Sequence, residues 1–380
     1  MLNASCAQTK KLTSIQWELP AELPAIYGQK KALGLAGPVV GVIKNILIIA
    51  GGANFPDSMP WKGGKKKYYQ DIYMLGKNDE NKFSWLDAKS VFLKQGLAYS
   101  GNITTPEGIV CIGGETANGH TDEVFLLQWN SSTNNIFRKD LPALPAKLAN
   151  TAVAYIGKTI YVAGGEDGRN AANTFFELDM SDSIPRWKSL PSLPIALSHA
   201  VGVAQFNGKT TCMYVIGGRS KTASGLSDLH NTVFCYDPVS MEWKEGSQVK
   251  DDKGPTNISA ATALPFGETE ILLIGGDKGN IFHQIETLNL NIASANTQEK
   301  QRLEDQKVRL LNDHPGFSKD VLSYSTVTDS WEKIGELPGL TPVTTTAVLW
   351  NNDIFIPSGE VKPGRRSAGI WRGRIISRNE

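Results

Sequence analysis

The chain repeats one hydrophobic pattern along its length. A short run of β-branched or apolar residues ends in two adjacent glycines five times, and a sixth run ends in Ser-Gly. The runs are ILIIAGG ending at Gly52, IVCIGG at Gly114, IYVAGG at Gly165, MYVIGG at Gly218, ILLIGG at Gly276 and IFIPSG at Gly359. These glycines lie roughly 50 to 80 residues apart, which leaves room for four short strands and their turns. The pattern predicts six repeats of a small antiparallel sheet.

Each repeat also carries an aromatic anchor and a proline-containing link. A second strand follows the glycines, as in DIYML (71–75), and then comes a strand anchored by an aromatic residue. The anchors are Trp85, Phe137, Trp187, Trp243 and Trp331. We expect them to fill the gap between neighbouring sheets, with Leu-Pro pairs closing the repeats. These features resemble the kelch family of β-propellers. The expected fold is therefore all-β, a six-bladed kelch-type propeller forming a single domain over residues 1–380.

The ends of the chain are predicted to close the ring. The sixth repeat lacks an aromatic outer strand, and Ser14–Pro20 has the form of the segment that begins at Ser330. We therefore expect the N-terminal segment to be the outer strand of the last blade, which leaves no open sheet edge. Residues 1–12 are expected to be a flexible N-terminal segment.

The fifth repeat is longer than the others. Residues 291–318 are predicted to form a helical insertion after its glycine pair, with one helix over Thr297–Leu311, because strong helix formers surround spaced apolar positions. A solvated charged loop is the alternative. The insertion is expected to leave the face that carries the other post-glycine residues and to cover the opening there as a lid.

Charge and composition restrict the partners. Formal net charge is +1, with 39 Lys and Arg against 38 Asp and Glu, and no basic stripe with interleaved aromatics is present. This argues against nucleic-acid binding. No window approaches the roughly 18 apolar residues of a membrane-spanning helix. A small molecule or a protein is the expected partner, and the oligomeric state stays open. Leu2–Cys6 resembles the end of an export signal, which predicts a periplasmic protein, either a lipoprotein or one cleaved near Cys6. A chance similarity is the alternative.

Alternating strand directions bring the residues after each glycine pair to one face, around the opening that we call the mouth. They are Ala53 with Asn54, Glu115, Glu166, Arg219, Asp277 and Glu360. For Glu115 and Glu166, a carboxylate that only accepts backbone hydrogen bonds from the next blade is favoured over one that binds substrate. His199 either lines the central shaft or is a satisfied core histidine. The run Lys65–Lys67 either touches a ligand or is solvated.

Glu360 differs from the other carboxylates because Arg366 follows it across a Lys-Pro-Gly turn that can fold both side chains over the mouth. Such a pair provides a proton acceptor beside a guanidinium fork for an anionic group. An ion pair that only orders the loop is the alternative.

The run Ser358–Arg366 is similar to the GEAKPG-x-R segment of the bacterial N-acetylneuraminate epimerases, or sialic acid mutarotases. AGGANF (50–55), GGETANG (113–119) and SKDVLSYSTVTDSW (318–331) agree with it. The blade order resembles that of a cyclically permuted member.

The resemblance implies anomer interconversion of N-acetylneuraminate or a related acidic sugar, without metal or cofactor. Glu360 corresponds to the proton acceptor, and Arg366 to an arginine implicated in activity. Arg219, Asn54, Glu115, Glu166 and Lys362 are the candidate substrate-binding residues. A non-catalytic glycan- or protein-binding propeller is the alternative.

Overall fold

Six four-stranded antiparallel sheets follow one another around a central axis. The computed structural model describes residues 10–25, 31–80, 82–86 and 92–379. The predicted six-bladed β-propeller is confirmed. Within this part of the chain, no helix is long and apolar enough to cross a membrane.

The first half of the chain forms three blades and the strand that precedes them. The first strand, β1, spans Lys10–Glu22, and blade one contains β2 (Val39–Ile43), β3 (Ile46–Ala50), the hairpin β4 (Ala53–Asn54) and β5 (Lys67–Tyr68), β6 (Ile72–Lys77) and β7 (Phe83–Leu86). Blade two contains β8 (Gly101–Thr105), β9 (Gly108–Ile112), the hairpin β10 (Glu115–Thr116) and β11 (Gly119–His120), β12 (Val124–Asn130) and β13 (Asn135–Leu141). Blade three contains β14 (Ala152–Ile156), β15 (Thr159–Ala163), β16 (Phe175–Asp179) and β17 (Trp187–Ser189).

The second half of the chain continues in the same way. Blade four contains β18 (Val201–Phe206), β19 (Thr211–Ile216), the hairpin β20 (Arg219–Lys221) and β21 (Ser227–Leu229), β22 (Val233–Asp237) and β23 (Glu242–Gly246). The short strands β24 (Lys250–Asp251) and β25 (Gly254–Pro255) lead to blade five, with β26 (Thr262–Phe266), β27 (Glu270–Ile274), α1 (Asn280–Ser294), α2 (Thr297–Asn312), β28 (Asp320–Ser325) and β29 (Ser330–Glu336). Blade six contains β30 (Val348–Trp350), β31 (Asp353–Pro357), the hairpin β32 (Glu360–Lys362) and β33 (Arg365–Arg366), and β34 (Gly369–Asn379).

The glycine pairs follow the second strand of blades one to five because the chain turns there against the next inter-blade link. In blade one, Gly51 and Gly52 have φ angles of 64° and 92°, in the left-handed region. A Cβ atom on Gly51 would lie 2.4 Å from the carbonyl oxygen of Leu97. Both the backbone conformation and the close approach therefore require glycine.

The predicted tryptophan anchors are tied to the preceding link by hydrogen bonds. The indole N–H groups of Trp187 and Trp243 donate to the carbonyl oxygens of Pro142 and Pro191, each at 2.8 Å. Trp331 donates in the same way to the Ser247 carbonyl oxygen at 2.9 Å. Phe137, predicted to fill a gap, is 43% exposed, so its predicted anchoring role is wrong. Its side chain has no N–H donor that could make the same bond.

The ring closes through the two ends of the chain, as predicted. Strand β1 pairs antiparallel with β34, in the sheet order β1-β34-β31-β30. The pairing starts at Lys10, earlier than the predicted segment, so residues 10–12 belong to the strand and not to a flexible tail. The guanidinium of Arg372 lies 2.9 Å from the Glu18 carboxylate across this seam. Cys6 and the rest of residues 1–9 lie outside the described residues.

The insertion of blade five is helical, but it begins earlier than predicted. Two helices, α1 and α2, replace the single predicted helix, and the first starts at Asn280 instead of within 291–318. Helix α1 packs on blade four, where the Glu286 carboxylate accepts hydrogen bonds from the backbone N–H and hydroxyl of Ser227 at 2.8 and 2.7 Å. The sequence signal for α1 is weak because this helix is the more apolar of the two and carries few charges.

Candidate functional site

A closed ring of backbone hydrogen bonds surrounds the axis. In each blade, a residue in the link that leads into the innermost strand donates its backbone N–H to the carbonyl oxygen of the corresponding residue in a neighbouring blade, at 2.6 to 3.1 Å. We call these six residues the axial ring: Gly37, Tyr99, Asn150, His199, Ala260 and Thr344. All six have positive φ angles, and five of them are not glycine. Such backbone conformations cost about 1 kcal/mol or more each and persist only where the surrounding structure imposes them.

The predicted mouth residues lie directly beside the axial ring. Each of them except Asn54 forms a backbone bridge with the residue that precedes the axial-ring residue of its own blade. The six bridges are Ala36 with Ala53, Ala98 with Glu115, Ala149 with Glu166, Ser198 with Arg219, Ser259 with Asp277 and Val343 with Glu360. The structure therefore brings these sequence positions together around one opening. A cavity of about 130 Å³ continues along the axis, lined by axial-ring residues and the starts of the inner strands.

Glu360 and Arg366 face each other across the hairpin of blade six. Nη2 of Arg366 lies 3.5 Å from Oε2 of Glu360, and the Arg366 side chain is only 4% exposed. The guanidinium stacks on the ring of Phe55 from blade one, 4.7 Å from its centre. Nε and Nη1 of Arg366 are buried and have no hydrogen-bond partner among the described residues. Buried donors of this kind are costly unless a ligand or water accepts from them.

Burial raises the pKa of the Glu360 carboxyl above its ordinary value. The positive charge of Arg366, a hydrogen bond from the backbone N–H of Gly364 at 2.8 Å, and the charges of Lys66 and Arg219 all oppose this rise. Glu360 therefore faces cations from blades one, four and six. A partly desolvated carboxylate with a raised pKa is a stronger base than a solvated one.

Tyr99 of the axial ring lies among the same charges. Burial and the negative charge of Glu360 raise the pKa of Tyr99 to about 12, although the positive charge of Arg366 acts in the opposite direction. The Nζ atom of Lys66 lies 5.1 Å from the centre of the Tyr99 ring. Tyr99 is thus a neutral phenol at physiological pH, able to donate a proton or a hydrogen bond.

Arg219 reaches the mouth from blade four. Its Nη2 lies 3.2 Å from Nε2 of His199, and its guanidinium carbon lies 4.9 Å from the ring centre of Phe282 on α1. The insertion therefore borders the mouth through Phe282. That it covers the mouth and excludes water stays a prediction. His199 lies at the axis, which favours the interpretation that it lines the shaft.

Glu115 is held by side chains of blade one. Its carboxylate accepts a hydrogen bond from the hydroxyl of Tyr68 at 2.5 Å and lies 3.2 Å from Nζ of Lys66. Lys66 thus forms an ion pair at the mouth while it stays exposed to solvent, so both interpretations of the Lys65–Lys67 run remain open. Glu166 accepts a hydrogen bond from the side-chain amide of Asn150 at 2.8 Å.

Asn54 is less suited to direct binding than the other candidates. Asn54 is 3% exposed, donates to the carbonyl oxygen of Gly34 at 3.0 Å and accepts from the Tyr69 hydroxyl at 2.8 Å. Its side chain is satisfied inside the protein, which favours a structural role. Lys362 pairs with Arg365 in the blade-six hairpin, and its charge helps to lower the pKa of His314.

Tyr99 and Asn150 are absent from the site that the sequence predicts. A signal for them exists, because axial-ring residues lie roughly 15 to 19 positions before the last glycine of each repeat. If the six repeats are aligned on that glycine, the axial-ring residues share nearly the same position. Tyr99 and Asn150 then stand out as polar residues at a position where other repeats have Gly37, Ala260 and Thr344.

The fold and the site define a six-bladed β-propeller whose axis opens onto several carboxylates, three cations and a phenol. The chain belongs to the N-acetylneuraminate epimerase family, whose family model matches residues 2–136 and 141–379. The predicted resemblance is therefore confirmed. The predicted cyclic shift of the blades stays a prediction.

Individual relatives match over part of their length. The N-acetylneuraminate epimerase of Haemophilus influenzae (strain PittEE) is 25% identical over 240 residues, which is 62% of this chain and 60% of the relative. The protein of that name from Salmonella typhi is 27% identical over 242 residues, 63% of this chain and 59% of the relative. The match spans about 60% of the length of these relatives.

Proposed function

We propose that this chain is a sugar mutarotase that interconverts the anomers of N-acetylneuraminate or a related acidic sugar. The observation that carries the proposal is the Glu360 carboxylate, with its raised pKa, beside buried donors of Arg366 that have no partner in the described part of the chain. Family membership and the names of the relatives support it.

The reaction needs a base and a proton donor. Glu360 accepts the proton of the anomeric hydroxyl, the bond between the anomeric carbon and the ring oxygen breaks, and the ring oxygen takes up a proton. The resulting open-chain ketone turns its other face to the hydroxyl, and the same steps in reverse close the ring. Tyr99, as a neutral phenol among these charges, is the described residue that we assign to donate the proton. A positioned general base contributes about 10²–10⁴ in rate.

Substrate binding falls to the cations. In N-acetylneuraminate the carboxylate is attached to the anomeric carbon, so a group that holds the carboxylate must lie beside the base. Arg366 meets this condition, since Nη2 lies 3.5 Å from Glu360. Its Nε and Nη1 atoms have no hydrogen-bond partner among the described residues, so they can donate to the substrate carboxylate. Arg219 and Lys66 add positive charge that favours an acidic sugar over a neutral one.

The decisive experiment follows the two anomers of N-acetylneuraminate by NMR after one pure anomer is dissolved. We expect equilibration to be faster with catalytic amounts of the protein than without it. Equal rates would overturn the proposal for this sugar. Saturable binding without faster equilibration would instead identify a glycan-binding propeller, the alternative function. Running the assay on related acidic sugars defines the substrate range.

We also propose that the protein works in the periplasm. The proposal depends on the similarity of Leu2–Cys6 to the end of an export signal and on the family resemblance. Fractionation of cells that express the native gene tests it. Recovery of the protein with cytoplasmic markers alone would contradict it.

A further inference from the structure

Arg219 is held at the mouth by two elements that are far apart in the sequence. His199, from the axial ring of the same blade, lies 3.2 Å from Nη2 of Arg219, and Phe282 of α1 lies under the guanidinium at 4.9 Å. An arginine side chain has many rotamers, and holding it from two sides reduces the entropy that is lost when it binds an anion.

The contact determines the tautomer of His199. A guanidinium has only N–H donors, so Nε2 of His199 must be the acceptor of this hydrogen bond. Nδ1 then carries the ring proton and donates it to the hydroxyl oxygen of Ser198, 3.1 Å away. His199 is therefore a neutral imidazole with its proton on Nδ1.

The surroundings favour this neutral form. Burial, the charge of Arg219 and the charge of Lys66 from blade one all lower the pKa of His199 well below its ordinary value. Protonated His199 would lose its acceptor atom and would place a third positive charge beside Arg219 and Lys66. Arg219 would then lose the bond that positions it.

The side chains of the axial-ring residue and the mouth residue also contact each other in the preceding blade, blade three. There the axial-ring residue Asn150 donates to Glu166, as His199 accepts from Arg219 in blade four. In blades three and four, the side chain of the axial-ring residue thus positions the mouth residue of the same blade. In blade four the result is a fixed cation.

We propose that His199 is a positioning residue which fixes Arg219 as the second cation for the carboxylate of an acidic sugar. This proposal rests on the proposed function, because it assigns the acidic group of the substrate to the mouth. It predicts that His199 acts on substrate affinity through Arg219 and leaves the chemical step to Glu360.

Two substitutions at one position test the proposal kinetically. His199→Asn suits the positive φ angle, as Asn150 shows, but its amide is too short to replace Nε2. We expect KM for N-acetylneuraminate to rise about tenfold, with little change in kcat. His199→Gln restores an acceptor near the place of Nε2 and should recover much of the affinity. His230→Gln is the matched control, because His230 bonds the neutral hydroxyl of Ser220 and should leave KM unchanged.

A second measurement needs no substrate. Nitrogen-15 NMR of the imidazole rings should show His199 protonated on Nδ1. The Arg219→Gln substitution should raise the pKa of His199, because it removes a nearby positive charge. A proton on Nε2, or the same pKa in Arg219→Gln, would overturn the coupling of the two residues.

The outcomes separate the two proposals. No effect of the unmodified protein on the sugar overturns the proposed function and the substrate role of Arg219 with it. Normal activity of the unmodified protein, combined with an unchanged KM in folded His199→Asn, overturns the role of His199 alone. Circular dichroism establishes that each variant is folded.

Discussion

The guanidinium of Arg366 lies 3.5 Å from the carboxylate of Glu360, and both side chains are largely buried. The hairpin of blade six brings the two residues together, while Phe55 of blade one holds the guanidinium from the other side. The pair thus depends on the closed ring as well as on its own hairpin.

Replacing Glu360 with Gln should reduce the acceleration of anomer equilibration by about 10²–10⁴, because the amide cannot accept the proton. The shape is kept, and the amide oxygen can still accept from the Gly364 N–H, so the thermal midpoint should change little. NMR of the anomers and thermal unfolding measure both quantities. Glu332→Gln, on the exposed side of β29, is the control. Full activity in Glu360→Gln would remove Glu360 from the base role.

The pH dependence of the rate should reflect the raised pKa of Glu360. Below that pKa the carboxyl is protonated and cannot act as a base, so kcat/KM should fall as pH decreases, with a midpoint above the ordinary value of 4.5. Arg366→Gln removes a charge that lowers this pKa, so its remaining activity should show a midpoint at still higher pH. A midpoint that moves downward in Arg366→Gln would contradict the assignment.

Asp320 should contribute to stability in a pH-dependent way. Burial opposes its ionisation, but hydrogen bonds from Lys278 and Lys333, at 2.6 and 2.8 Å, outweigh burial and lower the pKa to about 2. Because the pKa of Asp320 is lower in the folded state than its ordinary value of 3.8, its contribution to the free energy of unfolding is present above pH 3.8. This contribution is lost as pH falls from there towards 2. The shift corresponds to about 2 kcal/mol.

Urea unfolding at pH 6 and at pH 2.5 tests this contribution. Asp320→Asn should have a lower free energy of unfolding at pH 6 and should lose less of it on acidification than the unmodified protein. Asp252→Asn is the control, since that carboxylate is exposed and lies 3.9 Å from Lys333. An identical loss on acidification in Asp320→Asn and in the unmodified protein would refute the prediction.

Removal of residues 1–22 should open the ring. It deletes β1, exposes the edge of β34 and uncovers core residues of blade six, so we expect the thermal midpoint to fall by at least about 10 °C. Glu18→Gln keeps the strand and removes only ion pairs to Arg372 and Arg374, which should cost about 1 kcal/mol or less. Similar midpoints for the truncated and full-length chains would contradict closure by β1.

The sequence by itself determined the number of blades, the closure of the ring and the positions around the mouth. These follow from short-range constraints: a glycine pair marks the same turn in blades one to five, and strand alternation then sends each following residue to one face. The pairing of Glu360 with Arg366 was also predictable, because a single tight turn connects them.

Only the tertiary structure decided which side chains meet at the axis. Tyr99, His199 and Lys66 belong to three different blades. The repeat period marks the positions of Tyr99 and His199, but it does not show that their side chains meet Glu360 and Arg219. The indole bonds to the preceding link and the early start of α1 were likewise not visible in the sequence. Ring closure is the physical reason, since it brings six distant segments within hydrogen-bonding distance of one another, and the axial ring exists only once all six blades are in place.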